Sequence, residues 1–141
     1  MIRRLDHVAV VVRSTEEALA HFSNRLGLPV VWSEELDVPA VRLTYLSTGN
    51  AFLQLVEPLS DDGPIASFIE EHGEGLHHVC FGADDPIEDA TAIGSAGDAT
   101  AGRGRGRVSA FAPGPVVHGV RLECTRFDLH DDVESSPGAL G

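Results

Sequence analysis

An α+β fold of two similar modules, each running strand, helix, strand, strand, strand, follows from three features of the chain. Leu5-Asp6-His7-Val8-Ala9-Val10-Val11 and Gly75-Leu76-His77-His78-Val79-Cys80-Phe81 are apolar, strand-like runs that each carry histidine near their start, and they lie half of the 141-residue length apart. Phe52-Leu53-Gln54-Leu55-Val56 and Val120-Arg121-Leu122-Glu123-Cys124 repeat at nearly the same offset, with the polar Gln54 and Glu123 at matching places in strand-like runs. Helical spacing follows the first opening strand clearly and the second weakly. Curved mixed sheets built from such a duplication could turn all four polar side chains inward, toward a common metal site.

In residues 5 to 12, β-branched and apolar, His7, Ala9 and Val11 share one strand face and Asp6, Val8 and Val10 the other. Ser14 and Glu17 have the spacing of a capping box, Ala18, Leu19, Phe22 and Leu26 follow at helical intervals, and Gly27 can stop the helix, which predicts a helix from about 15 to 26. Leu28 to Trp32 reads as the second strand, Glu34 to Pro39 as a connection and Val41 to Leu46 as the third strand. Thr48-Gly49-Asn50 makes a turn, and Phe52 to Val56 is the fourth strand, ended by Pro58.

Asp62-Gly63-Pro64, with Ile65, Phe68, Ile69 and His72 behind it and Gly73 at the end, predicts a short bridging helix. The order then restarts at His78. Residues 86 to 101 make a weak helix, weakened further by Gly94 and Gly97. Gly102-Arg103-Gly104-Arg105-Gly106-Arg107 reads as a flexible basic loop, Val108 to Phe111 as a strand, Pro113-Gly114-Pro115 as a turn and Val120 to Cys124 as the last strand. The expectation is therefore a single domain over 1–141. Its first module covers about 4–58, the bridging helix about 62–73 and an abbreviated second module about 75–127, and the acidic tail 128–141 is flexible.

Composition removes several function classes. A formal charge of -12 argues against a nucleic-acid or anionic-membrane partner. All ten basic residues are arginine, which excludes a lysine Schiff base. Neither a run of about 18 apolar residues nor a signal-peptide pattern is present, so the expected location is the cytoplasm. Cys80 and Cys124 sit in apolar strands and read as reduced core thiols; Cys80, two residues beyond His78, would share its strand face.

The chemistry lies in His7, His78, Gln54 and Glu123. Gln54 interrupts the face formed by Phe52 and Val56 and needs a partner if buried. Glu123 raises the question more sharply, because a carboxylate inside an apolar strand must be paired or bound to a metal. Two imidazoles, a carboxylate and an amide oxygen suit one divalent metal ion such as Zn, Ni, Co, Mn or Fe(II), with positions left for water or substrate. Taken singly, each histidine reads equally well as a hydrogen-bonded core residue. Their recurrence at matching positions is what favours a metal.

Leu5-Asp6-His7-Val8-Ala9, Gly49-Asn50 with Leu53-Gln54-Leu55-Val56-Glu57-Pro58-Leu59, Gly63-Pro64-Ile65-Ala66-Ser67-Phe68-Ile69, Gly73-Glu74-Gly75-Leu76-His77-His78-Val79 and Gly119-Val120-Arg121-Leu122-Glu123 together resemble the vicinal oxygen chelate (glyoxalase/bleomycin resistance/dioxygenase) superfamily. Within it the similarity is strongest to the methylmalonyl-CoA epimerases. It runs nearly unbroken from residue 5 to 85 and in patches to about 126. It implies paired βαβββ modules around a metal held by His7, Gln54, His78 and Glu123. His78 is preferred to His77 because each opening motif places the ligand directly before valine. It further implies epimerisation of a 2-methylmalonyl thioester through a metal-stabilised enolate, with Glu123 as one acid/base group, an acyl-CoA substrate and a homodimer.

Two departures from the family stand out. Some members carry a glutamate on the third strand where this chain has Arg42, which cannot serve as a base. The stretch from 86 to 107 is shortened. The three arginines Arg103, Arg105 and Arg107 in it are candidates to hold the phosphates of CoA, against the plainer reading of a solvated loop. Other activities fit the same fold: a glyoxalase I-like lyase, an Fe(II) dioxygenase using His7, His78 and Glu123 as a triad, or a metal-free small-molecule-binding resistance protein.

Overall fold

The computed structural model describes residues 1–128; the expected flexible tail lies, but for Asp128, outside the described residues. Its elements are β1 (Ile2–Val11), α1 (Thr15–Leu19) running on as a π-helical segment (Ala20–Arg25), β2 (Val30–Asp37), β3 (Ala40–Ser47), β4 (Phe52–Pro58), α2 (Pro64–His72), β5 (Gly75–Ala83), α3 (Pro86–Ile93), β6 (Ala101–Gly104), β7 (Arg107–Phe111) and β8 (Leu122–Arg126). The order strand, helix, strand, strand, strand occurs twice, with α2 between, and the second set of closing strands is shorter.

The chain divides into two compact units that do not coincide with the two sequence repeats. Among the described residues, one comprises residues 9–77 and the other residues 1–8 with residues 78–128. In the first, the strands run β2-β3-β4 followed by the end of β1; in the second, the start of β1 is followed by β5-β8-β7-β6. β2 with β3 and β3 with β4 are antiparallel. β5 and β8 are parallel, while β8 with β7 and β7 with β6 are antiparallel.

Residues 9–77 hold two apolar clusters on opposite faces of their strands. Ala9, Val11, Val41, Leu43, Tyr45, Phe52 and Val56 pack with Ile65, Phe68 and Ile69 of α2. Val12, Leu46 and Leu55 pack with Ala18 and Leu19 of α1 and with Phe22. Each fully buried Val, Leu or Phe among them contributes about 1.5–3 kcal/mol. The Ser14 side chain accepts the backbone N–H of Glu17, as the capping pattern predicts. In the other unit, Ala83, Ala110 and Cys124 pack against Ala90 and Ile93 of α3, leaving Glu123, one residue along β8, on the face away from the helix.

Four expectations change. The helix predicted from 15 to 26 is α-helical only to Leu19; Leu26 N–H then bonds the His21 carbonyl at 3.0 Å, a π pitch that apolar spacing does not distinguish from α. Glu34 to Asp37 belong to β2 and only Val38-Pro39 connect, because ladder bonds to β3 hold this mostly polar stretch, in which only Leu36 packs against the core. The second-module helix ends at Ile93: Gly94 turns extended (φ −77°, ψ 168°), and its missing Cβ leaves room for Pro113, whose Cδ would lie 2.5 Å from it. The basic loop is a hairpin, β6 and β7 joined by Arg105 and Gly106 with φ of 53° and 70°.

Candidate metal centre

β1, β5 and β8 bring three donor atoms together within one unit. His7 Nε2 lies 3.2 Å from His78 Nε2 and 3.4 Å from Glu123 Oε1, and His78 Nε2 lies 3.1 Å from the same oxygen. His7, His78 and Glu123 are 3%, 8% and 9% exposed. Three donors so spaced can all sit about 2.0–2.2 Å from one cation, the bond lengths of imidazole and carboxylate ligands. Phe111, paired with Glu123 across β7 and β8, stands edge-on to the His78 ring at 5.0 Å.

The charge balance asks for a cation. Asp6 Oδ2 meets His7 Nδ1 at 2.7 Å and Arg105 Nη2 at 2.6 Å, so the cluster holds two carboxylates and one guanidinium. Burial opposes the charge on Asp6, but His7 and Arg105 outweigh it and keep the carboxyl below its usual range. Burial likewise opposes ionisation of Glu123, yet the two imidazoles hold it far below the ordinary carboxylate range. Burial disfavours the protonated form of both histidines; at His7 the Asp6 and Glu123 contacts reverse this and raise the pKa, while His78 stays lowered. The two carboxylates that favour positive charge on His7 would equally favour a divalent ion between the donors. Cys80 Sγ also comes within 4.8 Å of donor atoms of Asp6 and His7, and burial pushes its thiol well up.

Gln54 belongs to the unit of residues 9–77. It is 4% exposed, pairs across the ladder with Tyr45, and donates from Nε2 to the Tyr45 hydroxyl at 2.7 Å. Its Oε1 is buried without a hydrogen-bond partner among the described residues. His77 turns to the face opposite His78 and stacks edge-on with Phe68 of α2 at 4.9 Å.

Arg42 lies on the opposite face of β3 from Tyr45, with Nη2 2.7 Å from Glu35 and Nη1 3.1 Å from Glu57. Leu43, not Arg42, shares the face of Tyr45 and Gln54. The three arginines of the basic stretch also separate: Arg103 Nη1 donates to the Gly106 carbonyl from an exposed position, Arg107 is half-buried, and Arg105 is buried against Asp6. Sequence reading placed Asp6 on the far strand face and Arg105 on a loop, and so missed their link; the Asp-His dipeptide and the Arg-Gly turn were its only traces.

A buried pair of imidazoles and a carboxylate, on the opening and closing strands of twice-repeated strand–helix–strand–strand–strand modules, defines a candidate metalloprotein of the paired-module class. The chain belongs to the Glyoxalase/Bleomycin resistance protein/Dioxygenase superfamily, whose model matches residues 6–108. It is 32% identical over 111 residues, 78% of this chain and 83% of the relative, to the ethylmalonyl-CoA/methylmalonyl-CoA epimerase of Cereibacter sphaeroides. It is 36% identical over 83 residues to the mitochondrial methylmalonyl-CoA epimerase of Homo sapiens, a match covering 58% of this chain and about half, 47%, of that relative. Among solved structures, a variant of Streptomyces coelicolor methylmalonyl-CoA epimerase in complex with 2-nitronate-propionyl-CoA superposes with a TM-score of 0.81 at 25% identity, covering 92% of this chain and 97% of that one. Among the described residues, no helix is long and apolar enough to cross a membrane.

Proposed function

We propose that this chain is a metal-dependent isomerase of the methylmalonyl-CoA epimerase type, acting at the α-carbon of a 2-substituted malonyl thioester. The likeness to the Cereibacter sphaeroides epimerase over most of its length carries the reading. The buried His7, His78 and Glu123 cluster supports it chemically. Those three residues would hold one divalent ion, Co, Mn, Ni, Zn or Fe. Gln54 is proposed as the fourth ligand from the family resemblance and from its unpartnered buried oxygen. Bound there, the ion would supply Lewis-acid polarisation of the substrate oxygens.

Glu123 is proposed as one acid/base group. It is anionic and sits beside the two imidazoles of the proposed ion site, within reach of a substrate bound there. Arg42 takes no proton, since Glu35 and then Glu57 stabilise its cationic form. Of the hairpin arginines, Arg103 and Arg107 are the proposed contacts for CoA phosphates, with Arg105 committed to Asp6. A homodimer, a cytoplasmic location and a single domain over 1–141 complete the proposal, on the ground of resemblance and composition.

Incubating (2R)- or (2S)-methylmalonyl-CoA in deuterated water with the metal-loaded protein tests the reading. Enzyme-dependent α-deuterium uptake is expected; its absence sinks the epimerase assignment. Replacing Arg103 and Arg107 together with Gln should raise KM for the acyl-CoA, and an unchanged KM removes the phosphate role. One observation favours a second reading. His7, His78 and Glu123 alone form a two-histidine, one-carboxylate set, the donor pattern of Fe(II) dioxygenases. Preferential iron loading that Gln54→Ala leaves intact would point there.

A further inference from the structure

We infer that Arg105 and Asp6 are positioning residues that set the tautomer of His7. The inference rests on the metal-centre reading for its purpose but on the cluster's own geometry for its substance. Imidazole Nδ1 and Nε2 cannot both be lone-pair donors in the neutral ring; a proton on one leaves the other free, and the partner of the protonated nitrogen decides which. Asp6 Oδ2, 2.7 Å from His7 Nδ1, accepts that proton's hydrogen bond and leaves Nε2 to face His78 and Glu123.

Neighbouring strand residues ordinarily face opposite ways, so a carboxylate next to the histidine does not reach its ring unless something turns it. Arg105 does this. It comes from 99 residues further along the chain, its side chain is 8% exposed, and its Nη2 lies 2.6 Å from the same Oδ2. The hairpin is shaped for the contact. Both turn residues have positive φ, a conformation that favours Asn or Gly, yet the first of them is arginine. The side chain's engagement with Asp6 explains an arginine at a position where local backbone preference selects against it. The Gly-Arg-Gly-Arg-Gly-Arg stretch thus delivers one guanidinium inward, behind the ligand.

The test uses the full chain with histidine labelled by nitrogen-15, at alkaline pH where the imidazole is neutral. In the metal-free wild type, His7 should show the Nδ1–H tautomer. In Asp6→Asn the amide can donate to Nδ1 and reverse it, so the Nε2–H form should appear. Co(II) titration should then show a 10- to 100-fold weaker site in Asp6→Asn, the usual effect of losing such a partner. Arg105→Gln should weaken the site to a smaller extent, with partial recovery in Arg105→Lys. Variants that melt earlier yet keep both the His7 tautomer and the Co(II) affinity would overturn the inference, leaving the pair merely structural. If the wild type binds no Co(II) or other divalent ion, the metal-centre reading falls, and the tautomer measurement, which needs no metal, still decides this one.

Discussion

His77 and His78 are adjacent in sequence and opposite in role. His78 points at His7 and Glu123, whereas His77 packs on Phe68. Replacing His78 with Ala should abolish stoichiometric metal binding, measured by elemental analysis after reconstitution, while His77→Ala should retain it; the reverse outcome would break the registration of β5. The thiols make a second residue-scale expectation. Cys124 is fully buried, and burial pushes its thiol up to about 11. Because an unfolded thiol ionises near about 8.5, the folded state favours the protonated form, and stability falls as pH rises from about 8.5 through the folded value of about 11. A disulfide reagent at about pH 8 should therefore leave Cys80 and Cys124 unmodified until denaturant is added. Rapid labelling of either in the native protein would contradict their placement. The clustered donors His7, His78 and Glu123 are legible in sequence, since residue type and repeat position mark them. Asp6 was not, because strand alternation sends its side chain away from His7 and only a contact from Arg105 draws it back.

At the scale of the elements, polar strands and irregular helices escaped the sequence for a shared reason. β2 carries Ser33, Glu34, Glu35 and Asp37 and is held by its ladder to β3, so it shows no buried apolar period. β6 is four residues rich in glycine, stabilised by pairing with β7 in a two-residue hairpin. Such segments take their conformation from a neighbour. α3 is different, since its end is set by packing: a side chain at Gly94 would meet Pro113 Cδ at 2.5 Å and its carbonyl at 2.7 Å. Gly94→Ala should destabilise the protein by about 1–3 kcal/mol in urea unfolding, as overpacking does. An unchanged midpoint would show that the Pro113 segment can retreat. By contrast α2, with Pro64 at its start and Gly73 at its end, follows the sequence signals closely because both are local.

For the whole molecule, metal binding and stability are linked through the native state. Three buried donors that a denatured chain does not hold together should make the melting temperature depend on the ion. At a free concentration 100 times Kd the gain is about 2.7 kcal/mol, a rise on the order of 10 °C. Calorimetry with and without chelator measures it, and equal melting temperatures at saturating ion would show that the cluster is no ion site. Sequence by itself determined the repeated order of elements, the donors His7, His78 and Glu123, and the bridging helix, because hydrophobic period, turn residues and duplication are written locally along the chain. The tertiary structure alone decided how the chain divides. One unit joins residues 1–8 to residues 78–128, so His7 comes together with His78 and Glu123, while its sequence neighbours from Ala9 on pack in the other. It also decided that one arginine of three turns inward to Asp6. Both outcomes rest on contacts between residues far apart in sequence, whose energies depend on how strands pair and hairpins turn, and no periodicity within a single segment encodes that.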